Sequence, residues 1–237
     1  GPHACIPSGL ARECLRVSNL QITPYFSVPF GYTHFENPQP VCDELAALFL
    51  AREATGDAYR NHIRRDTQVG LFESAFDLHM WPDPPVQRVF AFIHESLARI
   101  VQQLNAYPPD VYERLVFNYH SWFHVTRNGG HQGVHNHPMA SWSGIFCVDP
   151  GDSPADDPSS GCVRFIDPRP GAGMYSDAGN QSLKGQYHQG GQQIRHETGR
   201  LLLFPSYLMH EIFTYRGSRP RIVIAFNSWI TQDPPPT

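Results

Sequence analysis

Apolar residues change their rhythm partway along the chain, and the change separates two kinds of structure. Between residues 41 and 52, and again between 86 and 105, they recur at helical spacing. In the second stretch Val89, Phe90, Phe92, Ile93, Leu97, Ile100, Val101 and Leu104 make one broad stripe. Both segments are expected to be helices laid on a sheet. From about Tyr112 the period becomes two, the alternation of a strand with unlike faces. Strands are expected at 115–125, 141–149, 161–166, 192–196, 200–204, 207–215 and 219–230, with a turn at Gly129-Gly130. Upstream, 20–30 also alternates, and Pro24 and Pro29 would confine it to a sheet edge because proline has no N–H to give. The segment 70–78 reads as a second extended piece, after a polar connector that holds Arg60, Arg64, Arg65 and Asp66.

Short strands at this density, punctuated by glycine and proline, predict a mainly β protein with flanking helices. The expected core is a double-stranded β-helix, or jelly roll, under an N-terminal helical layer. One domain over residues 1–237 fits the length, with 20–109 supporting a core at 110–231. The stretches 150–160 and 168–191 are rich in Gly, Pro, Asp and Ser and read as long loops, candidates for lids over the barrel mouth.

Composition narrows the partners. Prolines (22) and glycines (19) are plentiful while charged residues make up 17%, a balance that favours turn-rich β architecture over a helical bundle. A net charge of -4 leaves no basic footprint, so neither nucleic acid nor a membrane surface is an expected partner. No apolar run reaches membrane-spanning length. Cys5, Cys14, Cys42, Cys147 and Cys162 are odd in number and lack zinc spacing, which suits reduced thiols. Gly1-Pro2-His3 shows neither the basic nor the apolar region of a signal peptide, and a cytoplasmic location is expected.

Chemistry concentrates in Val134-His135-Asn136-His137-Pro138. If this segment is extended, His135 and His137 project from one face and Asn136 from the other. Downstream, Phe204-Pro205 and then His210 would bring a third imidazole back to the same sheet through a strand, a bend and another strand. Three ligands on one face of an octahedral ion leave the opposite positions open for reactants. The residue types suit Fe(II), zinc and copper alike, although the wide gap before His210 argues against a closed zinc finger. A chain with 13 histidines will place two at i and i+2 by chance, so His120, His124 and His131 stay open as alternative ligands or as packed, hydrogen-bonded side chains.

Taken together, His135-Asn136-His137-Pro138, Ser143-Gly144-Ile145-Phe146, the segment from Gly161 through Val163, Phe165 and Asp167-Pro168-Arg169, Gly199 to Pro205 with His210, and Arg221 to Asn227 resemble the Fe(II)/2-oxoglutarate-dependent oxygenases. The likeness is to the branch whose metal strand carries H-x-H-P. It implies Fe(II) on His135, His137 and His210, and 2-oxoglutarate with its distal carboxylate on Arg221. The implied partners are O2 and a small, amino-acid-derived substrate. The implied reaction oxidises a substrate C–H bond, by hydroxylation, desaturation or cyclisation, with release of succinate and CO2. Arg221 also suits on physical grounds: it lies eleven positions past His210 on the next expected strand, and a guanidinium grips a carboxylate through two parallel N–H groups. Arg219 is its rival. Trp122, His124, His131, Trp142, Tyr207 and Asn227 are the candidates for a substrate pocket.

The chain departs from the broader superfamily at three points. His137 stands where an aspartate is usual, which leaves the ligand set neutral; Val223 stands where a serine often assists the arginine; and Phe146-Cys147 stands where tyrosines are frequent. A second reading is a cupin metalloenzyme that works without 2-oxoglutarate. Gly129 with His135-x-His137, and Gly199 with Pro205 and His210, resemble the two halves of that signature, whose glutamate after the second histidine is missing here. A third is a jelly-roll binding module with no catalysis.

Overall fold

The computed structural model describes residues 20–63 and 65–234. Cys5, Cys14, Arg64 and the last three residues lie outside them. In chain order the elements are β1 (Gly31–His34), α1 (Pro38–Ala54), β2 (Gln68–Glu73), α2 (Pro84–Leu104), a single turn α3 (Pro109–Tyr112), β3 (Leu115–His135), β4 (Trp142–Asp149), β5 (Val163–Phe165), β6 (Gln192–Ile194), β7 (Arg200–Pro205), β8 (His210–Ile212) and β9 (Arg221–Gln232). All nine strands join one antiparallel sheet in the order β1-β7-β4-β9-β3-β8-β5-β6, with β2 pairing on β3. This is the mainly β, helix-flanked jelly roll expected from the alternation.

β4, β7 and β9 are buried on both faces, and parity decides what each side chain meets. Phe146, Val148, Leu201, Leu203, Ile222, Ile224 and Phe226 face the helices and pack with Leu45, Phe49, Ile93 and Leu97. Those four helical residues are fully buried, and each contributes roughly 1.5–3 kcal/mol of apolar burial. Side chains of the opposite parity, Ile145, Leu202, Phe204 and Val223, face inward and meet Val163, Phe165 and Ile212 from the second layer. The inner layer is the smaller of the two and opens into the candidate site. Among the described residues, no helix is long and apolar enough to cross a membrane.

Two expectations fail. The first 11 described residues of the 20–30 segment form no strand; pairing with β7 starts at Gly31, just past Pro29. Two prolines in so short a run remove the donors a ladder needs. Nor does the chain reverse at Gly129-Gly130. β3 runs straight through for 21 residues, pairing first with β9, then with β2, and finally with β8. The Gly129 N–H donates to the Tyr215 carbonyl (2.7 Å) and the Tyr215 N–H to the Gly130 carbonyl (2.8 Å), so distant partners hold the strand extended. Glycine is needed there because β2 crosses closely: a Cβ on Gly130 would stand 2.5 Å from the Gly70 carbonyl oxygen. Elsewhere the differences are of length. Both helices start at prolines ahead of their apolar stripes, and the 207–215 strand shrinks to three residues.

Candidate active site

The end of β3 and the start of β8 lie side by side, with His135 directly opposite His210 in the antiparallel register. Their ring centroids are therefore 4.4 Å apart. Just past the strand, the His137 N–H donates to the Ser206 carbonyl (3.0 Å), which ties the next turn of chain to the bend between β7 and β8. This places the His137 ring 5.2 Å from each of the other two. One nitrogen from each ring lies within 4.8 Å of the others, a spacing that could hold a metal ion.

Their protonation suits that role. The Nδ1 of His135 sits 2.7 Å from the Gly133 carbonyl and that of His210 2.9 Å from the Leu208 carbonyl. A carbonyl accepts only, so each Nδ1 carries the proton and each Nε2 keeps its lone pair. Burial, then mutual repulsion among the three rings, holds His137 down at about 3; burial and His135 do the same to His210, and burial likewise lowers His135. All three imidazoles are neutral at pH 7.

They open into a cavity of about 340 Å³. On β9, alternate residues Arg221, Val223, Ala225 and Asn227 line it, as period two requires. Arg221 is 2% exposed, and neither its Nε nor its Nη2 has a hydrogen-bond partner among the described residues. Among the described residues no carboxylate pairs with it, and burial lowers its proton affinity. Arg219 instead lies at the surface beside Asp149 (3.4 Å). Asn227 lines the cavity with its Oδ1 accepting from the Ser143 hydroxyl (2.8 Å), while Glu211 points away to an ion pair with Arg164.

The structure brings Trp122, His124 and Asn227 to this cavity together with the three histidines and Arg221; it does not bring Trp142, Tyr207 or His131. Trp142 has the parity of Phe146 and packs toward the helices. Tyr207 is over half exposed, and His131 points its Nδ1 at the Gly129 carbonyl (3.3 Å). The 150–160 and 168–191 loops contribute nothing to the lining. Part of the wall comes instead from the N-terminal half: Arg65, Thr67, Gln68, Glu73 and Phe76. Sequence reasoning left these in a connector and an extended piece. The signal that could have found them is Glu73, an acid that ends β2 directly after Leu71-Phe72.

Glu73 is buried and saturated. Its Oε1 accepts from Asn61 and Arg65 (both 2.6 Å), and its Oε2 from Gln68 (2.7 Å) and His124 (2.8 Å). Burial pushes its pKa up, but the hydrogen bonds from His124, Gln68 and Asn61 outweigh this and hold the carboxyl at about 2.

A jelly roll whose mouth joins three neutral imidazoles to a buried guanidinium with unpartnered nitrogens could hold a metal ion beside an anionic ligand. Residues 120–227 match the family model described as "Putative 2OG-Fe(II) oxygenase". The match spans a little under half of the chain, which over these residues is similar to 2-oxoglutarate-dependent Fe(II) oxygenases, enzymes whose cofactors are Fe(II) and 2-oxoglutarate. Solved structures share the fold at low identity. A Pseudomonas putida prolyl-4-hydroxylase matches with TM-score 0.59 at 15% identity, over 85% of this chain and 92% of its own. A prolyl hydroxylase from Trichoplax adhaerens, in complex with a hypoxia inducible factor peptide fragment, matches at 0.54 and 11%, over 84% and 83%. HygX from Streptomyces hygroscopicus, with nickel and 2-oxoglutarate bound, matches at 0.54 and 12%, over 86% and 83%. No curated protein matches the chain by sequence.

Proposed function

We propose that His135, His137 and His210 hold Fe(II), that Arg221 takes the distal carboxylate of 2-oxoglutarate, and that the enzyme oxidises a C–H bond of a small substrate. The observation that carries this reading is Arg221, a buried cation with two unpartnered nitrogens in the same cavity as the triad. Leaving a charge so placed costs several kcal/mol unless a ligand pairs with it. The donor set fits the metal, since each lone pair is free and each ring is held by backbone or burial.

When bound, Fe(II) and 2-oxoglutarate would supply, together with O2, the power to take hydrogen from a substrate carbon, with 2-oxoglutarate converted to succinate and CO2. The chain's own residues do the positioning. Arg221 fixes one end of the co-substrate, and the apolar side chains of Ile145, Phe204, Ile212 and Val223 keep water from the space between it and the histidines. Asn227, held by Ser143, offers a polar contact beside them. Hydroxylation, desaturation and cyclisation all begin from this hydrogen transfer. On the same reading the 20–109 segment and the 110–231 core work as one unit, because part of the wall comes from the former.

A cupin reaction without 2-oxoglutarate has no use for a buried cation in the cavity of the triad. The discriminating experiment is anaerobic titration of the protein with Fe(II) and 2-oxoglutarate, following the visible metal-to-ligand charge-transfer band. The band should rise and saturate, and Arg221→Ala should lose it while still binding Fe(II). No band at saturating co-substrate sinks the assignment.

A further inference from the structure

Two donors at the cavity wall are left over after Glu73, its only carboxylate, has been satisfied. Arg65 gives its Nη1 to Glu73 and lays its guanidinium over Phe76, 5.3 Å from the ring centroid. Its Nε and Nη2, the edge that presents two parallel N–H groups, have no acceptor among the described residues. The second donor is the Trp122 indole, whose ring also rests on Phe76 (4.8 Å) and lies 6.0 Å from His137. Its N–H points at the Nε2 of His124 (3.1 Å), but that same nitrogen is 2.8 Å from the Glu73 carboxylate. One ring nitrogen cannot donate to a carboxylate and accept from an indole at once. The shorter, charge-assisted contact prevails, so His124 donates to Glu73 and the indole N–H is left without an acceptor.

Glu73 cannot receive a substrate ammonium, because four donors already occupy it. Glu73 is the only carboxylate in the lining, so the charge left to meet a ligand on this wall is that of Arg65. We infer that Arg65 and Trp122 form a carboxylate subsite for the primary substrate, on the wall built by Glu73 and Phe76 in the same cavity that Arg221 and the three histidines line. The free edge of Arg65 matches the two oxygens of a carboxylate, and Glu73 behind it balances one charge, which suits a monoanion better than a phosphate dianion. The substrate class is therefore a small monocarboxylic acid, oxidised at a carbon held off the carboxylate and near His137. This rests on the proposed role of Arg221, since 2-oxoglutarate must fill the other arginine first.

The test uses protein loaded with Ni(II), which does not turn over, and 2-oxoglutarate, whose binding is measured first by calorimetry. Common L-amino acids and short straight-chain monocarboxylates are then titrated, each beside its methyl ester. At least one acid should bind about tenfold or more tightly than its ester. Arg65→Met should erase that preference and Trp122→Phe, which keeps an aromatic ring but not the N–H, should weaken the acid several-fold; both should still bind 2-oxoglutarate. If Arg65→Met fails to fold, shown by loss of 2-oxoglutarate binding, Trp122→Phe decides alone. Should 2-oxoglutarate bind while no acid outdoes its ester, or the preference survive both substitutions, the subsite is wrong and the co-substrate reading stands. Wild-type protein that binds no 2-oxoglutarate overturns both.

Discussion

The Arg221 end of the cavity and the Glu73 wall both bury charge, and they treat it in opposite ways. Glu73 is satisfied by four donors from Asn61, Arg65, Gln68 and His124. Arg221 is as deeply buried and has no acceptor at Nε or Nη2. Buried polar groups in folded proteins are nearly always paired, so the paired one reads as scaffold and the unpaired one as a group awaiting a ligand. The difference should appear as opposite signs in stability.

The largest effect belongs to the scaffold. Glu73→Gln replaces an anion with an amide whose NH2 faces donors, and the variant should lose on the order of 3 kcal/mol at neutral pH, read by urea denaturation. Because the folded pKa of about 2 lies below the ordinary 4.5, this stabilisation is complete above pH 4.5 and is lost as pH falls through about 2. The gap between wild type and variant should close over that window. A gap that ignores pH would mean that Glu73 contributes shape and not charge.

Arg221→Met should do the reverse. Removing an unpaired buried cation should raise the stability of the ligand-free protein by about 1–3 kcal/mol, and 2-oxoglutarate, which raises the melting temperature of the wild type, should no longer do so for the variant. If Arg221→Met destabilised the protein as Glu73→Gln does, the contrast between the two ends would vanish.

The unpaired end was also the more legible one in the sequence. His135 and His137 betray themselves by a two-residue spacing, and Arg221, Val223, Ala225 and Asn227 share a face by parity alone. Parity could equally have set Trp142 aside, since it shares Phe146's side of β4. The Glu73 wall could not be read this way. Its donors come from positions 61, 65, 68 and 124; the first three reach it through the folding of the connector into β2, and the last through the pairing of β2 on β3, with Glu73 opposite His124. Gly129-Gly130 misled for the same reason: two glycines look like a reversal locally, whereas remote hydrogen bonds to Tyr215 keep the strand going. Local patterns carry what one strand presents, and cross-strand partners carry the rest.

Asn227 lies between the two cases and gives the smallest and sharpest test. Its Oδ1 accepts from the Ser143 hydroxyl, and Ser143 Oγ is also 2.8 Å from the Ser206 hydroxyl, so a short chain of hydrogen bonds crosses β9, β4 and the bend after β7. Ser206 in turn holds His137, but through its backbone carbonyl and not its hydroxyl. Ser143→Ala should therefore cost only about 1 kcal/mol, the net worth of a neutral hydrogen bond, and leave Ni(II) affinity unchanged within about threefold. A larger loss of metal affinity would show that the side-chain chain, and not the backbone contact, sets the position of His137, and the triad would then depend on the scaffold it has been contrasted with.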